Sequence, residues 1–349
     1  LLMRPSFFLC TLALPLGACL DFALLQSGTN QTDLATTNPD LTSPAADLSM
    51  PAPPDMTAPP TTWVKTYNST GTKLYAISGL ASATDSIYVV GEAGRVFGGS
   101  GGTFTKLSFD AGSGALTSLW LAGASEIWLA SADGFVLRST DAGSTNWVDQ
   151  SASAPYSLKG IYGKSNSDVV VMGANSSNGL SGKPSPNWMN APHGTSKNVN
   201  GIWASATKYY VVGLNGTAAS AADPRGTWTQ IAPLPGNDLT AISGVDDATV
   251  FAVTNTGKLL KYASGANSWT TLLSLPGAPA LNAVFVKSAT EIWVAGNSAS
   301  VYRCDSTTPA CVNESNSNLG NATLTGVWSS SRGTWVVGYS GADGAIFKY

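Results

Sequence analysis

One histidine, His193, and four cysteines in 349 residues leave this chain little equipment for metal or acid–base chemistry. Charge is scarce too. Lys and Arg number 18 and Asp and Glu 21, only 11% of the chain, for a formal net charge of −3. Runs of Lys and Arg are missing, so nothing points to nucleic acid or to an anionic membrane surface as partner. With so few charges the polar surface must be mostly hydroxyl and amide, a balance common outside the cytoplasm. No metal site and no cofactor are expected. His193 has no second ligand type at useful spacing. The glycine-rich run Gly98-Gly99-Ser100-Gly101-Gly102 lies between strands rather than before a helix, so it is not a phosphate cradle.

What the chain has in abundance is a repeat. An apolar residue, then a small one two places on, then another apolar one, opens a copy at Leu74, Leu116, Leu158, Val199, Leu239, Leu281 and Leu324. These openings stand about 40 residues apart, and the pattern between them is of the β type throughout. That period predicts an all-β chain, a seven-bladed β-propeller of four-stranded blades. In the second copy, Leu116–Leu121, Glu126–Ala130 and Phe135–Ser139 read as three strands, and Trp147 begins the fourth. Equivalent fourth-strand aromatics are Phe104, Trp188, Trp228 and Trp269.

The small residues two places after each opening are Ala76, Ser118, Gly160, Gly201, Ala241, Ala283 and Gly326, as crowding at a common axis demands. Two places further come Ser78, Trp120, Tyr162, Trp203, Ser243, Phe285 and Trp328, read as inter-blade packing rather than as a sugar-stacking belt. The last copy ends after its third strand, Ala345–Tyr349, while Thr62–Tyr67 ahead of the first copy has the fourth-strand pattern. An N-terminal strand is therefore expected to complete the last blade and remove the open edges.

The sixth copy breaks the pattern with Cys304 and Cys311 where a fourth-strand aromatic belongs. In an exported protein, cysteines bracketing a hairpin turn read as a disulfide. Glu92, Asp133 and Asp343 fall in the turns between second and third strands, where other copies carry Asn215, Asn255 and Asn297. Turn chemistry alone accounts for these residue types. They nevertheless share one face of the disc with the loops between blades, and they form the candidate binding rim.

Ahead of the repeats, residues 1–18 have a basic start at Arg4, an apolar run from Phe7 to Leu16 and a small-residue end, the layout of a secretory signal. Residues 19–62 are rich in Pro, Ser and Thr and without apolar periodicity, and they read as a disordered tether before a propeller spanning 63–349. Leu16-Gly17-Ala18-Cys19 resembles the lipobox of bacterial lipoproteins. The resemblance implies cleavage before Cys19 and its lipidation. With Leu20 rather than Asp after the cysteine, it also implies an outer-membrane destination on the periplasmic or surface side.

Ser139-Thr140-Asp141-Ala142-Gly143-Ser144-Thr145-Asn146-Trp147 resembles the Asp-box of sialidase-like propellers, with one residue inserted before the tryptophan. The wider blade pattern is similar to Asp-box and photosystem-assembly-factor-like repeat propellers. In that resemblance Ser139, Asp141, Gly143 and Trp147 specify a turn and its packing. Sialidases use three convergent arginines with a Tyr–Glu nucleophile pair and an acid; this chain offers Arg95, Arg138, Arg225, Arg303 and Arg332 without a spacing that brings three together. Arg138 and Arg303 match Lys261 and Lys348 in other copies and read as a solvated blade position.

The expected function is a lipid-anchored, monomeric cell-envelope scaffold with no catalytic residues. It binds protein or glycan at a disc face and touches the membrane through its anchor alone. The alternatives are a polysaccharide hydrolase or lyase of sialidase-like fold, and an assembly factor for an envelope complex.

Overall fold

Each second strand reads as an unbroken apolar run, and the reason is burial on both faces. Ser86–Gly91, Glu126–Ser131, Asp168–Gly173, Tyr209–Gly213, Val250–Thr254 and Glu291–Gly296 are buried at nearly every position. Sheets stacked face to face leave no solvent side for a strand near the middle. Outer strands keep one wet face, as in Ser268–Ser274, and their pattern is correspondingly mixed.

The computed structural model describes residues 62–110, 114–151, 157–173, 179–182, 188–195, 197–277 and 279–349. The expected signal segment, the lipidation site Cys19 and the tether lie outside the described residues, apart from Thr62. The described strands form a β-propeller with four-stranded antiparallel blades; seven such sheets are present among the described residues. Their innermost strands are Leu74–Leu80, Leu116–Gly123, Leu158–Ser165, Val199–Ala204, Leu239–Gly244, Leu281–Ser288 and Thr323–Ser330. Each touches the next, and the last touches the first, so the ring has no open side. We number the sheets by these strands.

The seventh sheet is made from both ends of the propeller. Val64–Ser69 lies antiparallel to Asp343–Lys348, with Val64 opposite Lys348 and Ser69 opposite Gly344. Trp63, fully buried, anchors the join. Its ring meets Trp293 edge-on at 6.3 Å and Tyr349 at 5.1 Å. Its indole N–H donates to the Glu314 carbonyl at 2.7 Å, and the Asn318 amide donates to the Trp63 carbonyl at 2.8 Å. Joining the termini in this way hides an edge that would otherwise pair with other chains.

All seven innermost strands carry a β-bulge at one place, immediately after the opening apolar residue. The bulged residue opposes nothing on the second strand, so its side chain is free to turn toward the neighbouring sheet. Further along, packing between sheets is set by matched volumes. A Cβ built on Gly79 would lie 2.7 Å from Trp328, one on Gly163 2.6 Å from Trp120, and one on Gly244 2.8 Å from Trp203. Each tryptophan thus lies against a glycine of the following sheet.

The same two positions at the other joints pair Ser78 with Leu121, Tyr162 with Ala204, Ser243 with Val286, and Phe285 with Ser329. Large faces small, or small faces large, at every joint. The Ser243 hydroxyl also accepts from the Val286 N–H at 3.1 Å. The tryptophans in this layer are 4–9% exposed, in keeping with packing rather than a stacking belt.

Two outcomes follow from these contacts. Trp63→Ala empties a fully buried site at the closing blade and should cost about 3–5 kcal/mol, measured by denaturant unfolding. Gly79→Ala should overpack against Trp328 and cost about 1–3 kcal/mol. In a Trp328→Phe background that cost should shrink, giving a non-additive double-mutant cycle, whereas strict additivity would refute the joint.

Candidate functional site

The bulged residues are Tyr75, Thr117, Lys159, Asn200, Thr240, Asn282 and Thr325, and they ring one end of a central cavity of about 720 Å³. Five of them bond to the carbonyl of the opening residue in the next sheet. Thr117 donates to Leu158 O at 2.8 Å, Asn200 to Leu239 O at 2.9 Å and Thr240 to Leu281 O at 2.7 Å. Asn282 donates to Leu324 O and Thr325 to Leu74 O, each at 2.9 Å. Hydroxyl or amide side chains of this length reach the carbonyl; Tyr75 and Lys159 occupy the same place at the first and third joints and are not so bonded. Further along the inner strands, Ile77, Leu119, Ile202, Ile242, Val284 and Val327 line the cavity beside Ser118 and small residues such as Gly160 and Gly201.

Tyr75 turns instead to its own sheet, where its hydroxyl donates to Glu92 Oε1 at 2.8 Å. Burial, together with that bond, raises the phenol well above the ordinary tyrosine range. Burial alone would raise the Glu92 carboxyl. The Lys73 N–H at 3.2 Å, the Tyr75 hydroxyl and the Lys73 ammonium at 3.6 Å outweigh it, and the carboxyl sits below its usual value. Lys73 also lies 5.2 Å over the Tyr339 ring, and Tyr75 meets Tyr339 edge-on at 6.2 Å. Tyr75, Tyr339, Lys73 and Glu92 make one connected cluster at the mouth. Lys159, exposed, is the single charged side chain of the cavity wall among the described residues.

The six rim candidates all fall at second-to-third-strand turns, but they do different things. Asn297 lines the cavity and accepts from Asn282 at 2.9 Å. Glu92 reaches the mouth through Tyr75. Asn215 and Asn255 are both tied to Asp238: the Asn215 N–H donates to one carboxylate oxygen at 2.9 Å and the Asn255 amide to the other at 3.0 Å. Asp343 accepts from the Gly71 N–H at 2.7 Å, pinning the link from the closing strand into the first sheet. Asp133 is exposed, and its N–H donates to the Ser131 hydroxyl at 3.2 Å. Four of the six thus participate in the turns themselves. The bulge residues, Lys73, Tyr339 and Asp238 were missed by sequence reasoning. The signal available was the column just after each opening, where hydroxyl and amide residues give way to Tyr75 and Lys159.

The Asp-box segment is a self-contained turn. The Ser139 hydroxyl donates to Asp141 Oδ1 at 2.7 Å and accepts from the Gly143 N–H at 2.9 Å. Asp141 Oδ2 accepts from the Thr145 N–H and hydroxyl and from the Asn146 N–H at 2.9–3.1 Å. The Ser139 hydroxyl first, and the Thr145 and Asn146 donors after it, depress the Asp141 carboxyl far below its ordinary value. A Cβ on Gly143 would fall 3.0 Å from the Trp147 ring, which fixes how the turn folds over it.

In the sixth sheet, Cys304 and Cys311 are directly opposite and disulfide-bonded, with Cα atoms 4.0 Å apart. Their register is that of Tyr262 with Trp269 in the fifth sheet, so a covalent link takes the place of an aromatic contact.

The arginines of the propeller are committed separately. Arg138 pairs with Glu126 at 2.8 Å, Arg225 with Asp223 at 3.0 Å and Arg303 with Glu314 at 2.9 Å. Arg95 bonds the Thr72 hydroxyl, and Arg332 donates to the Ser82 carbonyl at 3.2 Å. The position read from sequence as merely solvated is a cross-strand cation–π pair. Arg138 lies 5.3 Å from the Trp128 ring, Lys261 5.9 Å from Phe251, Arg303 6.0 Å from Trp293 and Lys348 5.1 Å from Trp335. His193 is fully buried, with its Nδ1 3.0 Å from the Thr195 hydroxyl. Among the described residues, no group of three or more His, Cys, Asp and Glu side chains is placed to hold a metal ion.

No family profile matches this chain, and no curated protein matches its sequence. Its fold, however, is shared with solved propellers. YCF48 from Cyanidioschyzon merolae superposes with a TM-score of 0.65 at 18% identity, covering 82% of this chain and 98% of that one. YCF48 bound to D1 peptide gives 0.66 at 15% identity, covering 82% and 94%. A catalytically inactive virginiamycin B lyase from Staphylococcus aureus, solved with quinupristin, gives 0.69 at 13% identity, covering 82% and 99%. At these identities the likeness is one of fold.

Six carboxyls, Glu92, Asp141, Asp223, Asp247, Glu291 and Asp305, are held below their ordinary values in the folded chain. Unfolding returns them to about 4, so the unfolded state takes up protons first as pH falls. The stability they contribute is complete above about pH 5 and is lost progressively below about pH 4. Thermal melts should therefore be flat from neutrality to about pH 5 and fall steeply toward pH 2. Asp141→Asn should lower the melting temperature at pH 7 and narrow its gap to the parent at low pH; an unchanged gap would count against the turn's role.

Proposed function

We propose that the chain acts as a lipid-anchored scaffold of the cell envelope, a seven-bladed propeller closed by its N-terminal strand, which binds another protein through the face where the cavity opens. The observation that carries this reading is the makeup of that face. Hydroxyl, amide, tyrosine and lysine groups surround an open mouth above a wall that carries six aliphatic side chains, while Glu92 and the arginines are held by partners of their own. Such a surface offers recognition through polar contacts around an apolar centre, the general composition of binding sites. The bound peptide in one YCF48 structure supports a protein ligand over a glycan, and with it the reading as an assembly factor for an envelope complex. Lipidation of Cys19 and an outer-membrane location rest on the lipobox-like Leu16–Cys19.

Affinity capture from envelope extracts, comparing the parent with a Glu92→Gln, Asn297→Ala double variant at a temperature well below both melting transitions, tests the face. Capture of the partner should fall about tenfold or more. Equal capture, or cleavage of an envelope polysaccharide by the purified chain, would overturn the reading in favour of another face or of the hydrolase and lyase alternative. Metabolic fatty-acid labelling of the full-length protein should vanish in Cys19→Ser together with membrane association; persistent labelling would refute the anchor.

A further inference from the structure

Building on that reading of the cavity face, we propose that the mouth receives an extended peptide segment, with a carboxylate on Lys159 and an adjoining aliphatic side chain in the wall below. Five of the seven joints are closed at the mouth by a hydrogen bond from a Thr or Asn side chain. The third joint gives this up. In place of a short donor it carries an exposed ammonium that bonds no residue among those described and is the single charge of the cavity wall. The groups beside it are hydroxyls, amides and backbone. An exposed ammonium without a carboxylate partner among the described residues attracts whatever anion enters, so the favoured group is an anion small enough to pass the ring.

The wall beneath the ring decides what the anion is attached to. The side chains of Ile77, Leu119, Ile202, Ile242, Val284 and Val327 carry no hydrogen-bonding group, while Ser118 and the backbone of small residues such as Gly160 and Gly201 line the cavity beside them. A saccharide hydroxyl turned toward these six side chains would lose water without gaining a partner. An aliphatic side chain gains from the same surroundings. The volume of about 720 Å³ lies in the range that encloses a small ligand and excludes a folded domain, so a protruding loop or chain end is what fits. Tyr75 on the first sheet and Tyr339 on the seventh also line the cavity and are within reach of the rest of the segment. The carboxylate could belong to a chain terminus or to an Asp or Glu side chain; the chemistry at Lys159 is the same for both.

The test is ligand-observed NMR titration of the full chain with acetyl-Ala-Ala-Leu as the free acid, the same peptide as its amide, and acetyl-Ala-Glu-Leu amide. One or both acidic peptides should bind and the neutral amide should not, with binding weakened by salt. Binding of the free acid alone assigns a chain end; binding of the glutamyl amide alone assigns an acidic side chain. Lys159→Ala, at an exposed position, should keep its melting temperature and lose about tenfold in affinity, and Lys159→Arg should restore most of it.

The proposal fails if neither acidic peptide exceeds the neutral one, if Lys159→Ala binds as the parent does, or if only decanoate or a glucuronate disaccharide binds. Protein capture that depends on Glu92 and Asn297 without acidic-peptide binding would sink this inference and leave the broader reading standing. Peptide binding by a chain that captures no protein would do the reverse.

Discussion

Everything in this propeller hangs on how one sheet meets the next at the axis, where seven innermost strands crowd together. A bulge just after each opening residue turns one side chain out of its own sheet, and at five joints that side chain closes on a carbonyl next door. The ladders of backbone hydrogen bonds hold each sheet internally, and backbone bonds between sheets are isolated, as where Ala232 N–H donates to the Asn267 carbonyl. The bulge supplies a lateral bond where the sheets are closest, and it does so without a long connection. Small residues follow it because Gly326, for example, already has Ile77 of the neighbouring sheet 2.9 Å from where its Cβ would stand.

Farther along the same strands the gap widens, and the means of joining changes from hydrogen bonds to volume. Tryptophan lies against glycine at three joints, and serine meets leucine or valine at two others. The sum across each joint is kept while its distribution varies, so no single column of the repeat needs to be constant. The periphery is more permissive still. There an aromatic, a disulfide and a Trp63–Tyr349 contact across the closing pair all fill one register position.

Asymmetry at the mouth sets two joints apart from the other five. If every bulge carried Thr or Asn, the ring would be closed and chemically uniform. Tyr75 and Lys159 break it on either side of the second sheet. One gathers Glu92, Lys73 and Tyr339 into a cluster, and the other leaves a cation at the cavity wall. The rim of turns around them is mixed: Asn215, Asn255 and Asp343 serve the loops, while Asn297 and Glu92 connect to the mouth.

Repetition made the architecture legible. Because each blade must bury its second strand on both faces and keep small residues at the axis, the β-propeller of four-stranded blades could be read from the spacing of Leu74 to Leu324 and the residues between. The pairing of Cys304 with Cys311 was legible for the same local reason, since both flank one hairpin. Contacts between side chains from separate strands or copies were not legible in this way. The Asp238 link between Asn215 and Asn255, the stacking of Arg138 on Trp128, and the turn of Tyr75 toward Glu92 each depend on where a side chain points once two segments are side by side. The sequence by itself determined the repeating unit, because strand burial and turn geometry act over a few residues. Only the tertiary structure decided which bulge positions close the ring and which face the cavity, because that choice depends on the reach of a side chain across the gap between two sheets.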